Sequence, residues 1–245
     1  MCVFLNNVGM EVYFILTLLG LLSLAVGSFI SAISYRIPRG LGFIKGRSFC
    51  DSCKKELKWY DNIPLISFLF YGAAARCCGK RISIRYPLIE LATLIGFVAL
   101  FLLSVNSAYY ILYVISLLVL VIDLEHQIIP DELTWIILVL GLMAGVQSPI
   151  TALFIAFFLS LLLLSLFIIT AGRGMGLGDV KLAVGLGVWL SFVDGLKWLM
   201  VSFILGGIVA SVLLLLKRAN LKTKIAFGPF LIVGFWIILL ITKLY

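Results

Sequence analysis

Gly174-Met175-Gly176-Leu177-Gly178-Asp179-Val180-Lys181 is a short polar island between long runs of leucine, isoleucine, valine and phenylalanine. Three glycines at alternate positions remove side chains and let the backbone bend or approach another group closely. Asp179 follows at once, at the mouth of an apolar segment. A second island, Asp123-Leu124-Glu125-His126-Gln127-Ile128-Ile129-Pro130-Asp131, closes another apolar run, with Asp123 standing 56 residues before Asp179. A carboxylate at membrane depth is costly and marks a candidate functional site. The rest of the chain reads as the scaffold that brings these two together.

Of 245 residues, 63% are hydrophobic and 12% charged. Soluble domains carry about 25% charged residues, so this is an integral membrane protein. The formal net charge of +8 is concentrated: residues 36–85 hold 11 of the 19 Lys and Arg against three acids, which leaves the remainder neutral. A basic loop between apolar segments is most simply a cytoplasmic loop. Topology accounts for that charge without nucleic acid, and the lipid bilayer is the evident partner. The first apolar stretch has no basic region before it and no small-residue cleavage site after it, so it is expected to be a retained helix rather than a signal peptide.

Eight apolar segments are expected: 12–33, 87–104, 109–124, 133–146, 151–171, 180–193, 198–216 and 225–241. The sixth is short for a span of about 20 residues. With the 36–85 loop inside, the connections at 124–132, 172–180 and 217–224 also fall inside. The last of these carries the other Lys/Arg cluster, Lys217, Arg218, Lys222 and Lys224, as the positive-inside rule requires. Asp123 and Asp179 then come out at the same depth on the same side. The expected architecture is an all-α polytopic membrane protein of about eight transmembrane helices with one cytoplasmic cysteine-containing loop. It divides into a first transmembrane helix over 1–35, the loop over 36–85 and a transmembrane core over 86–245.

Two aspartates brought close cannot both ionise at low cost, and such a pair shares a proton. That suits amide hydrolysis: the ionised partner takes a proton from water and the protonated partner polarises the carbonyl. Such chemistry needs no metal. Gly176 and Gly178 beside Asp179 are candidates for letting a substrate backbone approach. Two other readings stand beside catalysis. The aspartates can be helix caps, which fits Asp131 after Pro130, or links of an ion or proton pathway. Asp123 fits the cap reading poorly, because it ends a helix where the dipole disfavours an anion. His126 reads as a surface residue, and Lys181 as a side chain reaching the membrane interface.

The pattern Asp123-x5-Ile129-Pro130-Asp131-x-Leu133-Thr134, followed by Gly176-Leu177-Gly178-Asp179-Val180-Lys181-Leu182, resembles the type IV prepilin peptidases. Gly27-Ser28-Phe29, Arg36-Ile37-Pro38, Trp59-Tyr60-Asp61-Asn62-Ile63-Pro64, Ile82-Ser83-x-Arg85-Tyr86-Pro87-x2-Glu90 and Phe227-Gly228-Pro229-Phe230 are similar to further blocks of that family, in family order. The resemblance implies a multi-pass aspartic endopeptidase of the bacterial inner or cytoplasmic membrane, with Asp123 and Asp179 as its catalytic pair and its active site at the cytoplasmic face. Its substrates would be type IV prepilins or pseudopilins of a pilus or secretion system, cleaved after a glycine. It also implies N-methylation of the new N-terminus from S-adenosylmethionine, with Glu90 a candidate for the methyl-transfer site. An ion or proton transporter and a non-catalytic pilus or secretion assembly protein are the rival classes.

Four of five cysteines lie in the basic loop, and clustered reduced thiols on a cytoplasmic face suggest metal rather than disulfides. Cys50-Asp51-Ser52-Cys53 supplies one CxxC. In the family a second pair closes a zinc site, and Cys78 aligns with its last member. The position three residues earlier is Ala75, and Cys77 is an extra thiol beside Cys78. Adjacent residues seldom both reach one tetrahedral centre, so a three-cysteine site, a strained site using both thiols, and a lost site are all open.

Overall fold

The computed structural model describes residues 2–40, 49–50, 52–58, 66–172, 174–218 and 225–244. The sequence block at 59–64 and the lysines at 222 and 224 lie outside the described residues. The described chain is all-α: α1 (Cys2–Arg36), α2 (Ile66–Phe70), α3 (Arg85–Leu102), α4 (Ser107–His126), α5 (Asp131–Ala144), α6 (Pro149–Ile169), α7 (Leu177–Gly187), α8 (Phe192–Leu215) and α9 (Gly228–Leu244). The eight expected segments each became one helix, and α2 is an addition within the loop. Among the described residues five helices are long and apolar enough to cross a membrane: α1, α3, α4, α6 and α8. Their outer surfaces carry exposed Phe154, Phe157, Leu161, Ile168 and Ile204, the side chains that lipid accommodates and water does not. The chain is a multi-pass membrane protein.

It forms two compact units, Met1–Val114 and Ile115–Tyr245. In the first, α1 packs along α3. The two helices pass closely at Gly27, where a β-carbon would lie 2.7 Å from the Glu90 Cα and 2.9 Å from Thr93 Oγ1. Below this crossing the Arg85 guanidinium donates to Ser34 Oγ at 2.7 Å. The Tyr113 hydroxyl donates to the Ala92 carbonyl at 2.7 Å, which fastens the start of α4 to α3.

In the second unit α7 is the central element, packed by α5, α6 and α9. Eleven residues rise only about 16 Å at 1.5 Å each, half of a bilayer core. The apolar run continues through buried Val188, Trp189 and Leu190 as non-helical chain. Buried indole nitrogens need acceptors, and here they lock the unit. Trp189 Nε1 donates to the Ile137 carbonyl (3.1 Å), Trp198 Nε1 to the Leu231 carbonyl (2.7 Å) and Trp236 Nε1 to Ser116 Oγ (2.9 Å). Two helix starts differ from expectation. α8 begins at Phe192 rather than Trp198 because Ser191 Oγ accepts the Asp194 N–H at 3.2 Å, an N-cap that starts the helix one and a half turns early. α9 begins at Gly228, three residues later than Ile225.

Candidate active site and cysteine centre

Asp123 sits on the last turn of α4 and Asp179 on the first turn of α7. Both are buried, at 4% and 6% exposure, and close enough to interact electrostatically. The second unit therefore brings together the two carboxylates singled out in the sequence. Asp179 Oδ2 accepts the Gly176 N–H at 3.0 Å, closing the first turn of α7. Asp123 Oδ2 has no hydrogen-bond partner among the described residues. The Gly228 N–H acts on both carboxylates without making a full hydrogen bond to that oxygen. A buried acceptor without a protein donor costs about 1–3 kcal/mol, so such an oxygen calls for a partner.

The dipole problem at the end of α4 has a local answer. Gly228 is the first residue of α9 and Gly176 the N-cap of α7, so two helix N-termini, which favour negative charge, meet the acid pair. Approach is tight: a β-carbon at Gly228 would lie 2.5 Å from Asp123 Oδ2 and 3.1 Å from Ile129 Cδ1. Gly178 packs on the same Ile129 side chain, where a β-carbon would come within 3.2 Å. Ile129 thus wedges between the motif glycine and α9.

Asp131 is not the cap of α5. Pro130 holds that position without a side-chain cap, and Asp131, on the first turn, receives the Lys181 ammonium at 2.8 and 2.7 Å on its two oxygens. Lys181 therefore does not reach outward alone. It ties the start of α5 to the start of α7, two residues from Asp179. His126 ends α4 with Nε2 4.0 Å from Glu125 Oε2.

The cysteine loop resolves into two copies of one turn. Cys50 N–H donates to the Lys55 carbonyl (2.9 Å) and Lys54 N–H to the Cys50 carbonyl (2.9 Å). Twenty-five residues on, Ala75 N–H donates to Lys80 (2.8 Å) and Gly79 N–H to Ala75 (2.7 Å). Lys54 and Gly79 both take positive φ, 58° and 67°, and the bridges Phe49–Glu56 and Ala74–Arg81 flank the turns at the same offset. Ala75 therefore occupies the place of Cys50, and Cys78 that of Cys53. Cys77 stands where the first turn has Ser52, and it supplies the missing sulfur. The four Sγ atoms of Cys50, Cys53, Cys77 and Cys78 all lie within 4.8 Å of one another, with Cys50–Cys78 at 3.8 Å and Cys53–Cys77 at 3.2 Å. Of the three arrangements left open by the sequence, this geometry is that of a site using both adjacent thiols: the tight turn presents both to one point. Burial pushes the Cys50 thiol up, but the amides of Cys53 and Ser52 and the thiols of Cys77 and Cys53 outweigh it and bring it to about 7. Hydrogen bonds to Cys53 and Cys50 push Cys77 to about 12. Within the cluster the Cys50 thiol thus gives up its proton more readily than the Cys77 thiol.

Two family models match the chain: the bacterial peptidase A24 N-terminal domain over residues 21–104 and the type IV leader peptidase family over residues 110–215. The prepilin leader peptidase/N-methyltransferase of Pseudomonas aeruginosa is 35% identical over 264 residues, covering 92% of this chain and 91% of that protein. Those of Legionella pneumophila and Neisseria gonorrhoeae are 33% and 30% identical, each covering about 90% of both chains. The chain belongs to the type IV leader peptidase family. No solved structure matches it. Within this family member, sequence reasoning missed the Lys181–Asp131 pair and the place of Gly228. The second carried a signal, since Phe227-Gly228-Pro229-Phe230 was one of the blocks similar to the family.

Proposed function

We propose that the protein is a membrane-embedded aspartic endopeptidase that removes the leader from type IV prepilins or pseudopilins and N-methylates the new N-terminus. The observation that carries this is the convergence of buried Asp123 and Asp179 on Gly228. The ionised carboxylate takes a proton from water, and the resulting hydroxide attacks the scissile carbonyl carbon while the protonated carboxyl donates to its oxygen. Attack leaves the first carboxyl protonated and the second ionised; on collapse of the tetrahedral intermediate the C–N bond breaks, the first carboxyl gives its proton to the leaving amine, and the second takes one from a hydroxyl of the intermediate, which restores the starting pair. Membrane location follows from composition. Placing the pair at the cytoplasmic face rests on the charge of the 36–85 loop and on the basic leaders of the substrates the family takes.

The test is cleavage of a full prepilin by the purified protein in detergent, with product masses read with and without S-adenosylmethionine. Cleavage after the leader glycine is expected, with one further methyl group on the mature chain when the methyl donor is present. Absence of cleavage by folded protein overturns the peptidase reading.

The thiol cluster fits zinc. Four sulfurs about 2.3 Å from zinc lie about 3.8 Å apart in a tetrahedron, close to the spacing present. Bound there, zinc would cross-link the two turns and supply no chemistry to proteolysis. Purified protein is expected to carry one zinc per chain by elemental analysis, to lose it in Cys77→Ser, and to regain it in Ala75→Cys/Cys77→Ser, which restores the sulfur in the place equivalent to Cys50. Equal zinc in all three, or none in wild type, overturns the assignment. Cleavage should be unchanged throughout, because the acid pair is built from the second unit alone.

A further inference from the structure

Asp179 is carried by a stretch poor in side chains. Gly176 and Gly178 precede it on either side of Leu177, and glycine leaves the backbone more freedom than any other residue. A pair of reacting carboxylates nevertheless has to be held closely in place, since small displacements at a reacting group are costly. The brace stands two residues further on. The Lys181 ammonium donates to both oxygens of Asp131, at 2.8 and 2.7 Å. Asp131 lies eight residues after Asp123, and Lys181 lies two after Asp179. The contact therefore closes a ring through both acids: Asp123, the turn over 124–130, Asp131, Lys181 and Asp179. We infer that Lys181 and Asp131 are positioning residues for prepilin cleavage, a clasp that sets how the two acids stand against one another, an inference that rests on the peptidase reading.

The rest of the ring is fixed by backbone and packing. The Gln127 N–H donates back to the Asp123 carbonyl at 2.9 Å, and Gln127 takes a positive φ of 55°, which turns the chain out of α4 at once. The turn then carries Ile129 inward. A β-carbon on Gly178 would lie 3.2 Å from Ile129 Cβ, and one on Gly228 would lie 3.1 Å from Ile129 Cδ1 and 2.5 Å from Asp123 Oδ2. Ile129 is thus the spacer between the first turn of α7 and the surroundings of the Asp123 carboxylate. Beyond the clasp, the Thr134 hydroxyl donates to the Asp131 carbonyl at 2.7 Å. A β-carbon on Gly185 would lie 3.0 Å from the Thr134 carbonyl oxygen, so α5 is seated on α7 one turn deeper. What the ion pair adds is the hold on the glycine-rich head of α7. The Lys181 and Asp131 side chains are 52% and 55% exposed. Pairs so exposed add little to folding stability, so breaking this one shifts Asp179 without unfolding the unit.

The experiment is prepilin cleavage by the full detergent-solubilised protein, with kcat and KM measured separately and thermal melts of the same preparations. Lys181→Met and Asp131→Asn are each expected to lower kcat by about tenfold to a hundredfold, with KM and the melting temperature nearly level. The double variant should lose no more than the worse single one, because both changes break one contact. Lys181→Arg should recover most of the rate, since a guanidinium also takes both oxygens of a carboxylate. Lys197→Met is the control: it removes an equally exposed lysine, 3.2 Å from Asp194 on α8, and should cleave as wild type does. Undiminished cleavage in both single variants overturns the clasp and leaves the peptidase reading standing. So does a loss confined to one partner, or multiplied in the double variant, which would mean that each group acts by itself. A loss in KM alone would make the pair a prepilin contact, and a loss matched by a lower melting temperature would make it structural; either result overturns the positioning role. Folded wild type that does not cleave prepilin overturns the clasp and the peptidase reading together.

Discussion

Asp123→Asn and Asp179→Asn are each expected to lose prepilin cleavage by about a thousandfold or more, with no loss of thermal stability. The loss follows from the division of labour: one carboxylate must accept a proton and the other must donate one, and an amide does neither. General acid–base catalysis contributes about 10²–10⁴-fold per group, and each member of the pair serves in both roles over a cycle. The stability expectation runs the opposite way from most buried substitutions. The two carboxylates repel one another, and Asp123 Oδ2 is buried without a hydrogen-bond partner among the described residues. An isosteric amide removes the repulsion and leaves no cavity, so the melting temperature should stay level or rise, as expected where function keeps a destabilising group. Cleavage rates beside thermal melts of the same preparations check both halves. A variant that cleaves at the wild-type rate ends the aspartyl mechanism. One that melts far lower shows that the carboxylate is structural, as an N-cap would be.

Much of this site was legible before the structure, and the reason is physical. The membrane forces nearly every residue outside a functional site to be apolar, so Asp123 and Asp179 stood out against their surroundings, and the alternation of loop charge put them at one depth. The eight helices followed from the same contrast. What the sequence did not disclose depends on three-dimensional neighbours. Lys181 and Asp131 are 50 residues apart, and no periodicity links them; only the packing of α7 on α5 does. The start of α8 was obscured because Ser191-Phe192-Val193-Asp194 is a capping signal set inside an apolar run. The cysteine loop left three arrangements open because spacing was counted along the chain, whereas the second turn offers its sulfur from the position next to Cys78. Both turns are fixed by backbone hydrogen bonds and a positive-φ residue, which tolerate exchange of the side chain that carries the sulfur.

Gly228→Ala is expected to cost about a hundredfold or more in cleavage while leaving the protein folded, and the identity of the struck atom decides this. A methyl group at Gly228 would lie 2.5 Å from Asp123 Oδ2, 3.1 Å from Ile129 Cδ1 and 3.3 Å from Asp123 Cγ. All are ends or near-ends of side chains rather than backbone, so the clash is relieved by turning the Asp123 carboxylate out of its rotamer well, at about 0.5–1.5 kcal/mol. Folding tolerates that. Catalysis does not, because a displacement of about 1 Å at a reacting group can cost a hundredfold, and the carboxylate would also lose its approach to the Gly228 N–H at the head of α9. The loss should fall on kcat and leave KM nearly unchanged, since no prepilin-binding surface is altered. The melting temperature should stay level, because the clash is relieved within one side chain. A large fall in it would mean that the substitution unfolds the chain. Undiminished cleavage would mean that the close contact between α9 and Asp123 has no part in the reaction.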